Sequence, residues 1–274
     1  MSKINLKDKI AIIGTGNMGS ALAKGIAGSG MAENLMLHDT DINKVNQFAR
    51  SISATACSSI QEAIHKSQLV ILCVKPNIVL SVAQEVSKFL NPGTIVCSIA
   101  VGVPIAKYRT FISGDFDFFR IMPNTPALVG EGMSVISHEK GTSEDSLKKV
   151  LKIFSCAGKT QVLDEKLMNQ VTALTGSSPA YVFMMIEAMG NAGIKSGIPS
   201  EISYKLAAQA VLGSAKMVLE SGLHPAVLKD QVCSPAGTTI EAVEALERNG
   251  FRYCLMDAMN ECTKRAEEIS EKKE

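Results

Sequence analysis

The sequence lacks an excess of charge of either sign: its 274 residues carry 28 Lys+Arg against 27 Asp+Glu, for a pI near 7.6. Nucleic acids and anionic membranes are bound through clustered positive charge, so the balance argues against both as partners. Long apolar runs are missing too. The most apolar one, Ile95 to Ala106, is broken by Ser98, Gly102 and Pro104. It falls short of the ~18–20 residues that a membrane span requires. The stretch Met1 to Lys9 has charge where a secretory peptide places its apolar segment, so no targeting signal is expected. The seven cysteines (Cys57, Cys73, Cys97, Cys156, Cys233, Cys254, Cys262) form no C-x-x-C pair and are odd in number. A reduced, cytoplasmic setting is the simplest reading, with Cys73 and Cys97 as small core residues. The four histidines are far apart and lack ligand spacing, so no metal site is expected. Repeats and low-complexity segments are absent.

What is present is a folded chain. With 46% hydrophobic and 20% charged residues, intrinsic disorder is excluded. At 29.2 kDa the length suits about two domains that bury ~70–75% of the unfolded surface.

The first half alternates strand and helix signals. Ile10 to Ile13 is an apolar run stopped by Gly14, and a helical stretch follows from Gly16 to Gly28. Leu35 to His38, Leu69 to Val74, Thr94 to Ala100 and Phe118 to Met122 read as further strands. Helices are expected over Asn43 to Arg50 and Ile78 to Leu90. Such alternation implies a parallel sheet covered on both faces. Weaker strand signals at Ser134 to Ile136 and Thr160 to Leu163 would extend it. Beyond Glu165 strand signals vanish, and Gly176, Gly197, Gly222 and Gly250 divide an Ala-, Met- and Leu-rich region into helix-sized pieces. Ala180 to Ala192 and Leu206 to Leu219 have few charges, which suits either a subunit interface or packing within their own domain. The last stretch, from Lys264 onward, reads as a solvated helix end that frays. The expected fold is an α/β Rossmann-like N-terminal domain (1–164) followed by an all-helical domain (165–274).

Gly14-Thr15-Gly16-Asn17-Met18-Gly19 is G-x-G-x-x-G placed after a strand and opening a helix. Gly14 permits the tight turn, Gly16 lets a pyrophosphate approach the backbone, and Gly19 lets helix and strand pack. Asn17 and Met18 stand where the helix N-terminus offers N–H groups to phosphate. About twenty residues on, Asp39-Thr40 follows the second strand. An acid there accepts hydrogen bonds from both ribose hydroxyls of NAD and repels the 2′-phosphate of NADP. That favours NADH over NADPH, although Asp39 equally suits a helix cap. Val74-Lys75-Pro76 lies at the carboxyl edge of the sheet, where ligands of such folds bind.

A second anion site is suggested by Ser234-Pro235-Ala236-Gly237-Thr238-Thr239-Ile240-Glu241. Thr238 with Glu241 fits a capping box. Equally, Gly237, Thr238 and Thr239 would present donors to a substrate carboxylate at a helix N-terminus. Ser177 to Pro179 in the same way suits a serine cap with first-turn proline.

These blocks, with Arg120-Ile121-Met122-Pro123-Asn124-Thr125-Pro126-Ala127, Gly176 to Tyr181 and Lys229 to Thr239, resemble the pyrroline-5-carboxylate reductase family over nearly the whole chain. Lys229 to Thr239 is its most specific block. The resemblance implies proline biosynthesis by reduction of a cyclic imine with NADPH or NADH, and a helical domain that makes a dimer or a ring of dimers. It places the nicotinamide near Met122-Pro123-Asn124 and Ser177-Ser178. It also implies that Ser234, Gly237, Thr238 and Thr239 hold the substrate, with Thr239 at the ring nitrogen. Two positions depart from the family pattern: Ala236 stands where glycine is usual, and Asp39-Thr40 where many members using NADPH carry a polar residue followed by arginine.

The reaction needs a hydride at carbon and a proton at nitrogen, and protonation of the imine already makes the carbon electrophilic. Alignment of cofactor and ring is then the main task, worth up to ~7–11 kcal/mol. No histidine or carboxylate is placed as general acid, so Thr239, or a water it holds, is the expected hydrogen-bond donor. A dehydrogenase of another small acid, of the hydroxyisobutyrate type, would show a catalytic lysine early in the second domain. Lys195 and Lys205 are available but sit in no matching motif. A dinucleotide sensor without turnover would have no use for the Ser234 to Thr239 block.

Overall fold

The computed structural model describes residues 8–271, so most of the Met1 to Lys9 stretch read for a targeting signal lies outside it. In chain order the first part forms β1 (Lys9–Ile13), α1 (Asn17–Ile26), β2 (Leu35–His38), α2 (Ile42–Ser51), β3 (Thr55–Ala56), α3 (Ile60–Ile64) and β4 (Ser67–Leu72). It continues through α4 (Pro76–Ser87), β5 (Ile95–Ser98), α5 (Ile105–Arg109), β6 (Asp117–Met122), β7 (Gly132–His138), α6 (Glu144–Ser155) and β8 (Gly158–Val162). Thereafter the chain is helical: α7 (Met168–Val171), α8 (Ser178–Lys195), α9 (Ser200–Ser221), α10 (Pro225–Val232), α11 (Thr238–Arg248) and α12 (Phe251–Glu271).

The strands form one eight-stranded sheet in the order β3-β2-β1-β4-β5-β6-β7-β8. β1 shows why the runs are continuously apolar. Ile10 and Ile12 enter one buried cluster with Leu22, Ile26 and Phe154, whereas Ala11 and Ile13 enter another with Val70, Tyr108 and Phe118. Alternate side chains point to opposite faces, and helices cover both, so every position from Ile10 to Ile13 is buried. The sheet is not wholly parallel as expected. β6 and β7 pair antiparallel, Ile121 opposite Ile136. Pro123 to Glu131 is too short for the dozen or more residues of a crossover, so the chain must turn back beside the strand it has left. β7 and β8, joined through α6, are parallel to each other.

Two compact units result: the chain up to Ser177 together with the stretch from Cys262 onward, and Ser178–Glu261. Within the second, α8 and α9 pack closely because small residues face large ones. A Cβ on Gly190 would collide with the Tyr204 ring, and Ser203 donates its hydroxyl to the Gly190 carbonyl at 2.7 Å. Outward, this hairpin exposes Phe183, Met184, Leu206, Leu212 and Leu219, the last 81% accessible.

The stretch from Lys264 to Glu271 is helical and mostly exposed, as expected, but it also makes contacts that the reading did not foresee: Ala266 is buried, Ile269 packs where a Cβ on Gly102 would lie 2.7 Å away, and Ser270 donates to Asn169 Oδ1 at 3.3 Å. The glycine at position 102, at φ +75°, is what lets the helix end approach. Charges at 264–268 masked this, because the contacts are made by the interleaved Ala266, Ile269 and Ser270. No helix among the described residues is long and apolar enough to cross a membrane.

Candidate functional site

β1 is flanked by β2 on one side and β4 on the other, so the chain reverses its direction of winding there and opens a crevice at the carboxyl ends of the strands. Gly14 takes φ +99°, and a Cβ on it would sit 2.7 Å from the Cys73 carbonyl oxygen. Gly19 packs α1 onto the turn so tightly that a Cβ would collide with the Gly14 carbonyl and lie 3.1 Å from Cys73 Cβ. Gly16 differs: nothing lies within 4 Å of where its Cβ would be. It is also the N-cap of α1, and no side chain caps that helix end. A site that keeps glycine against no steric demand of its own fits a dinucleotide pyrophosphate, which would fill that space.

Asp39 accepts from the Thr15 N–H at 2.6 Å and the Thr15 hydroxyl at 3.0 Å through Oδ2, and from the Asp41 N–H at 3.2 Å through Oδ1. Burial works to raise its carboxyl, but the bonds from Thr15 and Asp41 and the charge of Lys44 outweigh it and hold the group below the usual carboxylate range. The helix-cap alternative for Asp39 is not realised. Asp41 caps α2, accepting from the Lys44 N–H at 3.0 Å. Asp39 instead ties the glycine turn to the end of β2.

A cleft of about 760 Å³ lies over this edge. All the sequence-expected cofactor residues line it (Gly14, Gly16, Asn17, Met18, Asp39, Thr40, Val74, Lys75, Pro76) except Gly19 and Asn124. Gly19 packs behind the turn. Sequence reading missed the wall that Ile99, Ala100 and Val101 form beyond β5, although the rule that located Val74 at a strand's carboxyl end applies equally to them.

Asn124 follows β6 and is half-buried. Its Oδ1 accepts from the Met133 N–H at 2.8 Å, and its Nδ2 donates to the Thr175 carbonyl at 3.0 Å. Thr175 belongs to a single π-helical turn, Thr172–Gly176, closed by the Ser177 N–H on the Thr172 carbonyl at 2.8 Å.

The second set of expected residues lies in the helical unit. Gly237, not Thr238, is the N-cap of α11, and no side chain caps that end. The capping-box reading is therefore not realised. Thr238 and Thr239 are the first helical residues, and their N–H groups belong to the turn that a helix cannot satisfy internally. The turn before them closes through the Gly237 N–H on the Ser234 carbonyl at 3.1 Å, and Ala236 takes φ +54°. A Cβ on Gly237 would collide with the Ser234 hydroxyl. Among the described residues no His, Cys, Asp or Glu cluster is arranged to hold a metal.

Comparison with known proteins gives the family. Residues 165–269 match the model for pyrroline-5-carboxylate reductase dimerisation, and residues 9–102 that for NADP oxidoreductase, coenzyme F420-dependent. The pyrroline-5-carboxylate reductase of Escherichia coli (strain K12) is 42% identical over 267 residues, covering 97% of this chain and 99% of that protein. The Arabidopsis thaliana enzyme of the same name is 39% identical over 267 residues, 96% of each chain. Pyrroline carboxylate reductase of Plasmodium falciparum, solved with NADP bound, superposes with a TM-score of 0.86 at 33% identity over 96% of this chain and 98% of that one. With near-complete coverage in both directions and the glycine cradle in place, the chain belongs to the pyrroline-5-carboxylate reductase family.

Proposed function

We propose that the chain reduces L-1-pyrroline-5-carboxylate to L-proline with NAD(P)H, the last step of proline biosynthesis. The open position over Gly16 at the uncapped start of α1 carries the reading. Gly14, Gly16, Asn17, Met18 and Gly19 form the phosphate cradle, and the Lys75 ammonium adds positive charge along the same cleft. When bound, the reduced nicotinamide supplies the hydride. Asp39 holds the ribose hydroxyls and, as an anion, disfavours a 2′-phosphate, so NADH is preferred; Thr40 borders the same end of the cleft.

The α11 N-terminus binds the substrate carboxylate through Ser234, Gly237, Thr238 and Thr239. Thr239, half-buried beside exposed Thr238, directs its hydroxyl, or a water it holds, to the ring nitrogen and keeps the proton there while the carbon is reduced. The division of labour follows the chain: residues 1–164 bind the cofactor, and residues 165–274 bind substrate and partner subunit. Self-association as a dimer or a ring of dimers would cover the apolar face of α8 and α9. The free state of all seven cysteines suits a reducing cytoplasm.

The test is oxidation of NADH and NADPH by the purified protein with and without pyrroline-5-carboxylate. Imine-dependent oxidation with a higher kcat/KM for NADH is expected, and Asp39→Asn should shift the ratio toward NADPH. Cofactor binding with no imine-dependent oxidation would favour a dinucleotide sensor. Thr239→Ala should lower kcat more than Thr238→Ala; the reverse order would reassign the donor.

A further inference from the structure

We infer that Asn124 is a positioning residue rather than a cofactor ligand: its side-chain amide clamps the turn after β6 to the π-turn Thr172–Gly176 and so sets the place of Ser177. Each polar atom of the amide has a partner within the protein, and Asn124 is not among the residues lining the cleft over the glycine turn. Oδ1 holds the Met133 N–H at 2.8 Å, at the start of β7, and Nδ2 holds the Thr175 carbonyl at 3.0 Å. That second bond answers a specific need. In a continuous helix the Thr175 carbonyl would receive the N–H of the residue four places on, but residue 179 is proline and has none. Asn124 supplies the missing donor from 51 residues away in sequence.

Other contacts pin the same connecting segment. Arg120, in β6, reaches Glu165 Oε1 and Asn169 Oδ1, each at 3.4 Å. The Met122 thioether lies against Gly176, its sulfur 3.5 Å from where a Cβ would be. Ser177, at the end of the segment, receives a hydrogen bond from the Cys262 thiol at 3.2 Å. Residues 120, 122 and 124 of one strand end thus hold residues 165, 169, 175 and 176, and the π-turn delivers Ser177 in a fixed register. Single π-turns of this kind are frequent at functional sites. The inference rests on the proposed function and on the placement of the nicotinamide beside Ser177 that the family resemblance implies.

Asn124→Asp and Asn124→Ala separate the roles. The aspartate is isosteric and keeps the acceptor for Met133 but loses the donor to Thr175; the alanine loses both. If Asn124 positions, amide-exchange protection at Ser177 falls in both variants, and that at Met133 falls only in Asn124→Ala. Turnover then drops about 10- to 100-fold, the scale of a small misplacement remote from the chemistry. The dissociation constants of NADH and NADPH, by direct titration, stay within about twofold, since the cradle at Gly14–Gly19 is untouched. A tenfold weaker cofactor with Ser177 protection intact would make Asn124 a ligand and overturn the inference, as would unchanged turnover once that protection is lost. Should Asn124→Ala fail to fold, Asn124→Asp alone decides. Ser177→Ala tests the placement separately: wild-type turnover there would remove the nicotinamide from Ser177 while leaving the clamp to be read from amide exchange.

Discussion

Removing either partner of the Arg120–Glu165 pair should have very unequal effects on stability. The Arg120 side chain is 5% exposed and Glu165 30%, with Nη1 to Oε1 at 3.4 Å. Among the described residues Arg120 Nε has no hydrogen-bond partner, and Nη2 reaches Asn169 at 3.4 Å. Burial draws the Arg120 pKa down and Glu165 opposes it, yet a guanidinium stays charged. Glu165→Gln therefore strands a buried cation while keeping an acceptor for the Ile105 N–H now bound at 2.8 Å. Stranding a fully buried partner costs about 3–5 kcal/mol. The long contact and Glu165's partial exposure reduce that to about 2–3 kcal/mol. Arg120→Met instead removes the cation together with its unmet donor, fills similar volume, and leaves Glu165 to be solvated at a cost of about 0–1 kcal/mol. For a chain of this size, 1 kcal/mol corresponds to about 2–4 °C, so Glu165→Gln should lower Tm by about 4–12 °C and Arg120→Met by about 0–4 °C. Both belong at one fixed protomer concentration, because self-association contributes to Tm. A larger loss for Arg120→Met than for Glu165→Gln would refute the account of the pair as a buried charge held by a half-exposed one.

The glycines of the cradle should respond differently to alanine. Gly16→Ala meets no atom, so Tm should hold while cofactor affinity falls at least about tenfold; Gly19→Ala, whose Cβ collides with the Gly14 carbonyl, should lose about 1–3 kcal/mol in denaturant titration before any ligand is added. Ala236 takes φ +54°, where a Cβ costs about 1–2 kcal/mol and glycine's extra unfolded freedom returns about 0.4–1 kcal/mol. Ala236→Gly should then raise stability by about 0–1.5 kcal/mol, and a fall in Tm would show that the turn is not strained. Because the folded carboxyl of Asp39 is held below its ordinary range, its stabilisation is present above the unfolded pKa of about 4 and is lost as pH falls through the folded value. Wild type should exceed Asp39→Asn in Tm at pH 7, with the gap closing below pH ~4; a gap constant from pH 7 to pH 3 would remove the carboxylate's ionisation as its source.

Much of the fold was legible because both faces of the sheet are covered. Leu35 to His38 is recovered residue for residue as β2, and the runs at Ile10, Leu69 and Phe118 lie within one or two residues of β1, β4 and β6. Short elements escaped. β3 is two residues long, and α3 and α5 are five each, too few for a periodic signal. α6 is long enough and carries the standard marks, a Ser143 cap with Glu144 and Asp145 in the first turn and Lys152 in the last. Its pattern went unread beside the weak strand signals on either side. The direction of β7 depended on the length of the preceding connection, not on the strand's own residues.

The site was legible where chemistry is local and illegible where it is shared between distant segments. G-x-G-x-x-G specifies its own turn, so Gly14 takes positive φ, Gly19 packs tightly against the turn, and the position over Gly16 is open. Asp39 and Asp41 are both plausible caps by spacing, and only the approach of Thr15, 24 residues back, shows which is free to hold the glycine turn. Thr238 and Glu241 have the spacing of a capping box, yet Gly237 takes the cap because Ala236 in the left-handed region ends the turn one residue early. Asn124 shows the limit most clearly. The sequence does state that the carbonyl four residues before Pro179 lacks a helical donor, which is a local fact of proline chemistry. Which group supplies that donor is decided by β6 ending beside the connecting segment, a matter of sheet order that no residue in either segment encodes.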